Sequence, residues 1–143
     1  MFLVPHVKLS AIIVGAAIEH VAAALIYGPL FGKKWIKAMS EDKHTNKWLP
    51  KNAETMKYRF IGSFILSTLQ CYFTGLLLNL TNAQTNTQAF QLGMVLFLGW
   101  VIPDLGTQHI WESRPITLGY IKALRMLINT VGVSIAMFNW CTK

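Results

Sequence analysis

Apolar residues in this chain fall in four long blocks that are separated by shorter polar segments. The blocks cover residues 9–27, 60–80, 90–111 and 118–140. Each supplies the roughly 20 mostly apolar residues that a helix needs to cross a bilayer core about 30 Å thick. No series of segments of about ten residues shows the alternating polarity that is typical of membrane-spanning strands. The pattern predicts an all-α fold, an integral membrane bundle of four helices in a single domain of residues 1–143.

The composition agrees with a membrane location. Hydrophobic residues make up 53% of the 143 residues and charged residues 13%, about half of the roughly 25% found in soluble domains. These proportions exclude a soluble globular domain and a disordered tail. We therefore expect a multi-pass integral membrane protein, in the inner membrane if the source is bacterial, with the lipid bilayer as its first partner.

The basic residues are concentrated between the first and second blocks, and this predicts the topology. Residues 33–59 hold eight of the thirteen lysines and arginines, whereas the segment 81–89 carries no charge. Because lysine and arginine accumulate in cytoplasmic loops, the first loop should be cytoplasmic and both termini non-cytoplasmic. Lysines alternate with apolar residues after Gly32, as expected for a short helix in the membrane interface. The net charge of +7 then reflects topology, and we expect no nucleic-acid partner.

Polar and charged side chains interrupt each of the four blocks. As residues of a buried charged cluster, or of a site for a ligand or an ion, we single out Glu19, His20, Gln70, Asp104, His109, Lys122, Arg125 and Asn129. Within each block, polar and small residues follow one another at helical spacing, as Ser67, Gln70 and Thr74 do in the second block. Each helix should therefore turn one polar face inward and its apolar remainder toward lipid.

The predicted topology places several of these charges at a similar depth. Glu19 lies eight residues before Tyr27, and Asp104 lies eight before Glu112, about 12 Å inside the cytoplasmic boundary. Arg125 lies seven residues after Leu118, where the fourth block begins on the same side of the membrane, so it reaches a similar depth. A lone charge at the centre of a bilayer costs at least ~2.5 kcal/mol, so pairing is favoured. We expect Glu19 and Asp104 to pair with Lys122 and Arg125 in one layer.

Metal and cofactor chemistry receives little support from the sequence. The four histidines lack the spacing of zinc ligands. His20 and His109 lie in different blocks, and they could approach each other, with Glu19 or Asp104, only if the first and third helices pack together. We predict no metal site, and the sequence indicates no cofactor. Pro103 removes a backbone hydrogen bond from the third helix next to Asp104, as happens at kinks and at ligand sites.

The segment that closes the first helix resembles a known family. It contains Tyr27, Gly28, Pro29, Phe31, Gly32 and Trp35, an aromatic-Gly-Pro-Leu-Phe-Gly-x-x-Trp run. This run, the turn 112–115 and Trp140 resemble the domain-of-unknown-function 1761 (DUF1761) family of small four-helix membrane proteins. The resemblance implies a membrane location and a four-helix fold, and it supplies no activity. From the residues themselves, Gly28 and Pro29 should stop the first helix, and Gly32 should permit a sharp change of direction.

Three functions fit these features. We favour a membrane protein with a charge-lined cavity that binds or conducts a small polar or ionic ligand or protons. An accessory or scaffold protein, whose buried ion pairs are structural, is the main alternative. A membrane enzyme that acts on a lipid-like substrate is a further one. Conduction would favour a homo-oligomer, and close helix contacts within or between subunits are possible at Ala11, Gly15, Gly93 and Gly99.

Overall fold

The computed structural model describes residues 6–141, and within them the chain is helical, without strands. Four of its five helices are long and apolar enough to cross a membrane, which confirms the predicted all-α architecture with four spans. The helices are α1 (Leu9–Leu30), α2 (Gly32–Lys43), α3 (Ala53–Leu80), α4 (Asn86–Glu112) and α5, which begins at Ile116 and ends with the stretch Val133–Cys141.

Two of the spans begin earlier than hydropathy alone predicts, because capping residues define their starts. The side chain of Asn52 accepts a hydrogen bond from the backbone of Glu54 at 3.0 Å, so α3 starts well before its apolar part. At the start of α4, Thr85 and Gln88 cap each other's backbone N–H groups reciprocally. Such polar first turns are invisible to a search for apolar blocks.

The corner between α1 and α2 differs from the prediction. Gly28 and Pro29 do not stop the helix, which continues to Leu30 through a wider π-helical turn, Ile26–Leu30. The turn back comes at Phe31, and neither glycine has a positive φ. Gly32 is needed for space instead, because a Cβ atom there would lie 2.8 Å from the carbonyl oxygen of Tyr27.

Helix α5 contacts all of the other helices, and its two halves do so differently. Its second half packs against α1, α3 and the first half of α4, around a core that includes Ala11, Cys71, Val133 and Met137. Its first half packs against α2 and the second half of α4. We call the end where α1 and α4 finish and α3 and α5 begin the basic end of the bundle. The tight packing is therefore concentrated away from the basic end.

Small residues determine how closely the helices approach. A Cβ atom on Gly15 would lie 2.8 Å from the sulfur of Cys71, and one on Gly93 would lie 2.6 Å from the backbone of α5 at Thr130. Ala11 is fully buried in the same core, whereas Gly99 faces open space. Ala11, Gly15 and Gly93 thus support contacts within one subunit.

Each of α1, α4 and α5 contains one π-helical turn, at Ile26–Leu30, Phe97–Val101 and Ile128–Gly132. The turn in α4 directly precedes the segment that holds Pro103, whose missing N–H and bulky ring fit poorly in a regular helix. The turn in α5 buries Asn129 and Thr130. Turns of this kind frequently lie at functional sites, and the turn in α5 holds one of the predicted site residues.

Candidate functional site

Glu19 is the most deeply buried carboxyl group among the described residues, with 1% of its surface exposed. The side chain of Ser67 on α3 lies within hydrogen-bonding reach of this carboxyl group. Arg125 on α5 and the neighbouring His20 interact with this carboxyl group electrostatically. Side chains of three helices therefore meet at Glu19.

Arg125 and Asn129 approach this position from α5. They are four residues apart, so they share one face of the helix. Arg125 is half-buried, and its guanidinium carbon lies 5.5 Å from the centre of the Tyr27 ring, within the range of a cation–π contact. Asn129 is 1% exposed. The positive charge thus lies beside an aromatic ring of α1 and acts electrostatically on the buried carboxyl group.

His20 and Gln70 lie at the edge of the same region. The Nδ1 atom of His20 is 2.8 Å from the carbonyl oxygen of Ala16, and its ring centre is 5.4 Å from that of Phe64. Gln70 is half-buried one turn beyond Ser67 on the polar stripe of α3. We name Glu19, His20, Ser67, Arg125 and Asn129 the polar cluster.

The polar cluster is incompletely satisfied. Four buried side-chain nitrogen or oxygen atoms of described residues have no hydrogen-bond partner, and all four belong to the cluster: Glu19 Oε1, His20 Nε2, Arg125 Nε and Asn129 Oδ1. Buried polar groups in proteins are nearly always hydrogen-bonded, so each exception requires an explanation such as a bound water, ion or ligand.

A second polar group lies near the basic end, between α2, α4 and α5. Gln108 donates to Asp104 at 2.7 Å, and its carbonyl oxygen accepts from Arg114 at 3.2 Å and from Lys122 at 3.5 Å. The side chain of Arg114 also lies 2.6 Å from Glu112 and 3.9 Å from Asp42. His109 Nδ1 is 2.8 Å from the carbonyl oxygen of Arg114. We call this group the end network.

The structure does not form the predicted layer of ion pairs. Among the described residues, no carboxylate lies within 4.0 Å of Lys122 or Arg125, and both ion pairs seen there involve Arg114. Asp104 is exposed and bound to Gln108, while Glu19 is buried beside Ser67 and Arg125. The physical reason is that equal depth does not imply adjacency. The second half of α4 packs on α5, and Glu19 of α1 lies against α3 and α5.

Sequence reasoning also missed participants whose partners are distant in the chain. Arg114 and Asp42 were not candidates, although an ion pair joins them across the turn after α4 and helix α2. Aromatic side chains at the corner between α1 and α2 also contact one another. The ring centre of Trp35 lies 4.7 Å from that of Tyr27 and 5.3 Å from that of Trp48. No three His, Cys, Asp or Glu side chains in residues 6–141 come together as metal ligands, and His20 and His109 belong to different groups.

Comparison with known proteins supports the family that the corner motif suggests. A model of the family described as "Protein of unknown function (DUF1761)" matches residues 10–138. The chain is 32% identical over 136 residues to a UPF0591 membrane protein of Schizosaccharomyces pombe, which covers 95% of this chain and 92% of that protein. No solved structure matches the chain. With four spans and a match over most of its length, this chain is a multi-pass membrane protein that belongs to the DUF1761 family.

Proposed function

We propose that the protein binds protons or a small polar ligand inside the membrane, at the polar cluster. The observation that carries this proposal is that all four unpartnered buried polar atoms of the described chain belong to one group of side chains on α1 and α5. Ionisable residues within membrane spans are costly and frequently functional, so a group left partly unsatisfied favours a binding role over a purely structural one.

The chemistry of the four atoms indicates what would bind there. In the neutral ring of His20, Nδ1–H donates to the Ala16 carbonyl oxygen, which leaves Nε2 as an acceptor. Glu19 Oε1 and Asn129 Oδ1 are acceptors as well, whereas Arg125 Nε–H is a donor. A small molecule that both donates and accepts hydrogen bonds, such as water, satisfies a mixed set of this kind. Glu19 and His20 would then exchange protons with it.

The direction of access follows from the charge distribution. Residues 33–59, the loop between α1 and α3 together with the first turns of α3, contain eight of the thirteen basic residues, which supports the proposal that the basic end faces the cytoplasm and both termini face the other side. Tyr27 lies beside Arg125 of the polar cluster. Trp35 of α2 contacts Tyr27, and Trp48 contacts Trp35 in turn. Proton or ligand entry from the cytoplasm would pass beside them.

Proton movement is tested in proteoliposomes that contain a pH-sensitive dye and carry an imposed pH gradient. We expect the protein to dissipate the gradient faster than empty liposomes, and Glu19→Gln to remove most of the difference. Asp104→Asn is the matched control, because it neutralises a carboxylate of another span that lies outside the polar cluster. Equal rates with and without protein would overturn proton conduction, and equal loss in both variants would overturn the assignment to Glu19.

Ligand binding and subunit number are tested together by native mass spectrometry of the protein released gently from detergent. A defined additional mass that disappears in Asn129→Leu but persists in Asn139→Leu would support a small-molecule ligand at the cluster. Since four helices enclose little space, conduction also requires more than one subunit. A strict monomer without additional mass would contradict both forms of the proposal.

A structural role is the second candidate, and one observation favours it. The Glu19 carboxyl group on α1 interacts with Ser67 of α3 through a hydrogen bond and with Arg125 of α5 electrostatically, so it links three helices. A scaffold protein would use such contacts to fix the helix arrangement. In that case Glu19→Gln and Arg125→Gln would unfold the protein or leave every transport and binding measurement unchanged.

A further inference from the structure

A groove of about 400 Å³ lies between the second half of α4 and the first half of α5, apart from the polar cluster. This volume is within the roughly 300–1,000 Å³ range of ligand pockets. Its walls include Gly106 and Gly119, and a Cβ atom at either position would meet nothing within 4 Å. The groove is therefore open space along the helices, and the protein's own side chains do not fill it.

The basic side chains that line the groove are Lys122, Arg114 and His109, and no carboxylate is among the lining residues. Arg114 is engaged with Glu112 and Asp42 outside the groove. Lys122 makes no ion pair within 4.0 Å with a described residue, and its hydrogen bond to Gln108 is long at 3.5 Å. An ammonium group with no carboxylate in contact therefore lines the groove, while Asp42, Asp104 and Glu112 act on it from beyond 4.0 Å.

The basic side chains lie toward one end of the groove, beside Pro115 and Ile116, and the other end is apolar. Arg114 lies at the turn between α4 and α5, and His109 lies in the last turn of α4. Ile102 is ten residues before the last residue of α4, about 15 Å deeper. Leu105 and Ala123 line the deeper part. Lys122 lies between these ends, and its flexible stem allows its charge to reach the membrane boundary. This gradient matches a membrane lipid, with its headgroup at the boundary and its chains inside.

We infer that the groove between α4 and α5 binds an anionic phospholipid, with its phosphate at Lys122 and an acyl chain along Ile102 and Leu105. Charge complementarity favours an anionic lipid over a zwitterionic one, since the lining charges are all positive. Basic pockets between spanning helices are known binding sites for anionic headgroups. The inference goes beyond the proposed function, because neither Glu19 nor Asn129 lines this groove.

The test is native mass spectrometry of protein taken from bilayers that contain equal amounts of phosphatidylglycerol and phosphatidylcholine with identical acyl chains. We expect one retained phosphatidylglycerol per chain, and Lys122→Gln to lower its retention relative to phosphatidylcholine about fivefold, equivalent to ~1 kcal/mol for one lysine near the surface. Lys34→Gln is the matched control: it removes an exposed lysine of α2 outside the groove and should change nothing.

A second variant separates groove binding from loss of charge. Gly106→Leu should fill the groove without disturbing the fold and abolish retention of the lipid. Gly99→Leu places the same side chain in open space on the same helix, outside the groove, and should retain it. The inference is overturned if both lipids are retained equally, if Lys34→Gln acts as strongly as Lys122→Gln, or if a second copy of the chain occupies the groove in place of lipid.

Discussion

The polar cluster and the end network contain similar side chains in very different surroundings. In the polar cluster, Glu19 and Asn129 are each 1% exposed and each has an unpartnered oxygen. In the end network, Asp104 is exposed and bound by Gln108, which also accepts hydrogen bonds from Arg114 and Lys122. The more buried group is thus the less satisfied one. A protein that minimised the cost of buried charge alone would show the reverse, which is why the polar cluster is the stronger candidate for function.

The largest expected effect comes from removing the positive charge of each region. Arg125→Met should lower the free energy of unfolding by about 3 kcal/mol, because it removes both the positive charge that acts on the buried Glu19 carboxyl group and the cation–π contact with Tyr27. Arg114→Met in the end network should cost less than about 1 kcal/mol, since its ion pairs are partly exposed. Reversible unfolding by sodium dodecyl sulfate in mixed micelles measures both. Equal losses would erase the distinction, and a loss under ~1 kcal/mol for Arg125→Met would show that Glu19 carries no charge.

A smaller effect tests the packing that holds the polar cluster in place. Gly93→Val places a side chain against the backbone of α5 at Thr130, next to Asn129, and overpacking of this kind costs about 1–3 kcal/mol. Gly99→Val on the same helix adds the same side chain in open space, so it should leave stability within about 0.5 kcal/mol. The same unfolding measurement applies. Equal effects would mean that the close approach of α4 and α5 at Gly93 is relaxed in the membrane.

The sequence was sufficient to predict the membrane-spanning helices and insufficient to predict which helices pack against each other. Four apolar blocks predict four spans because burial in lipid demands about 20 apolar residues, a property of each helix by itself. The partners of Glu19 depend on which helix faces which, and helical spacing gives a face without giving its neighbour. The π-helical turns had no visible sequence signal except near Pro29 and Pro103. Asp104 and Glu19, which are predicted at a similar depth, therefore have different partners in the structure.

The smallest expected effect lies in the end network and is the most sensitive to conditions. Asp104→Asn should change the free energy of unfolding by less than about 0.5 kcal/mol, because an exposed carboxylate loses little when an amide replaces it and still accepts from Gln108. Raising the salt concentration should shrink even this difference, since exposed charges are screened. Measurements at about 0.05 M and about 0.5 M sodium chloride test both statements. A salt-independent loss above ~2 kcal/mol would mean that Asp104 is shielded from solvent in the bilayer, by lipid or by a second subunit, and that the end network is as deeply buried in its native setting as the polar cluster is.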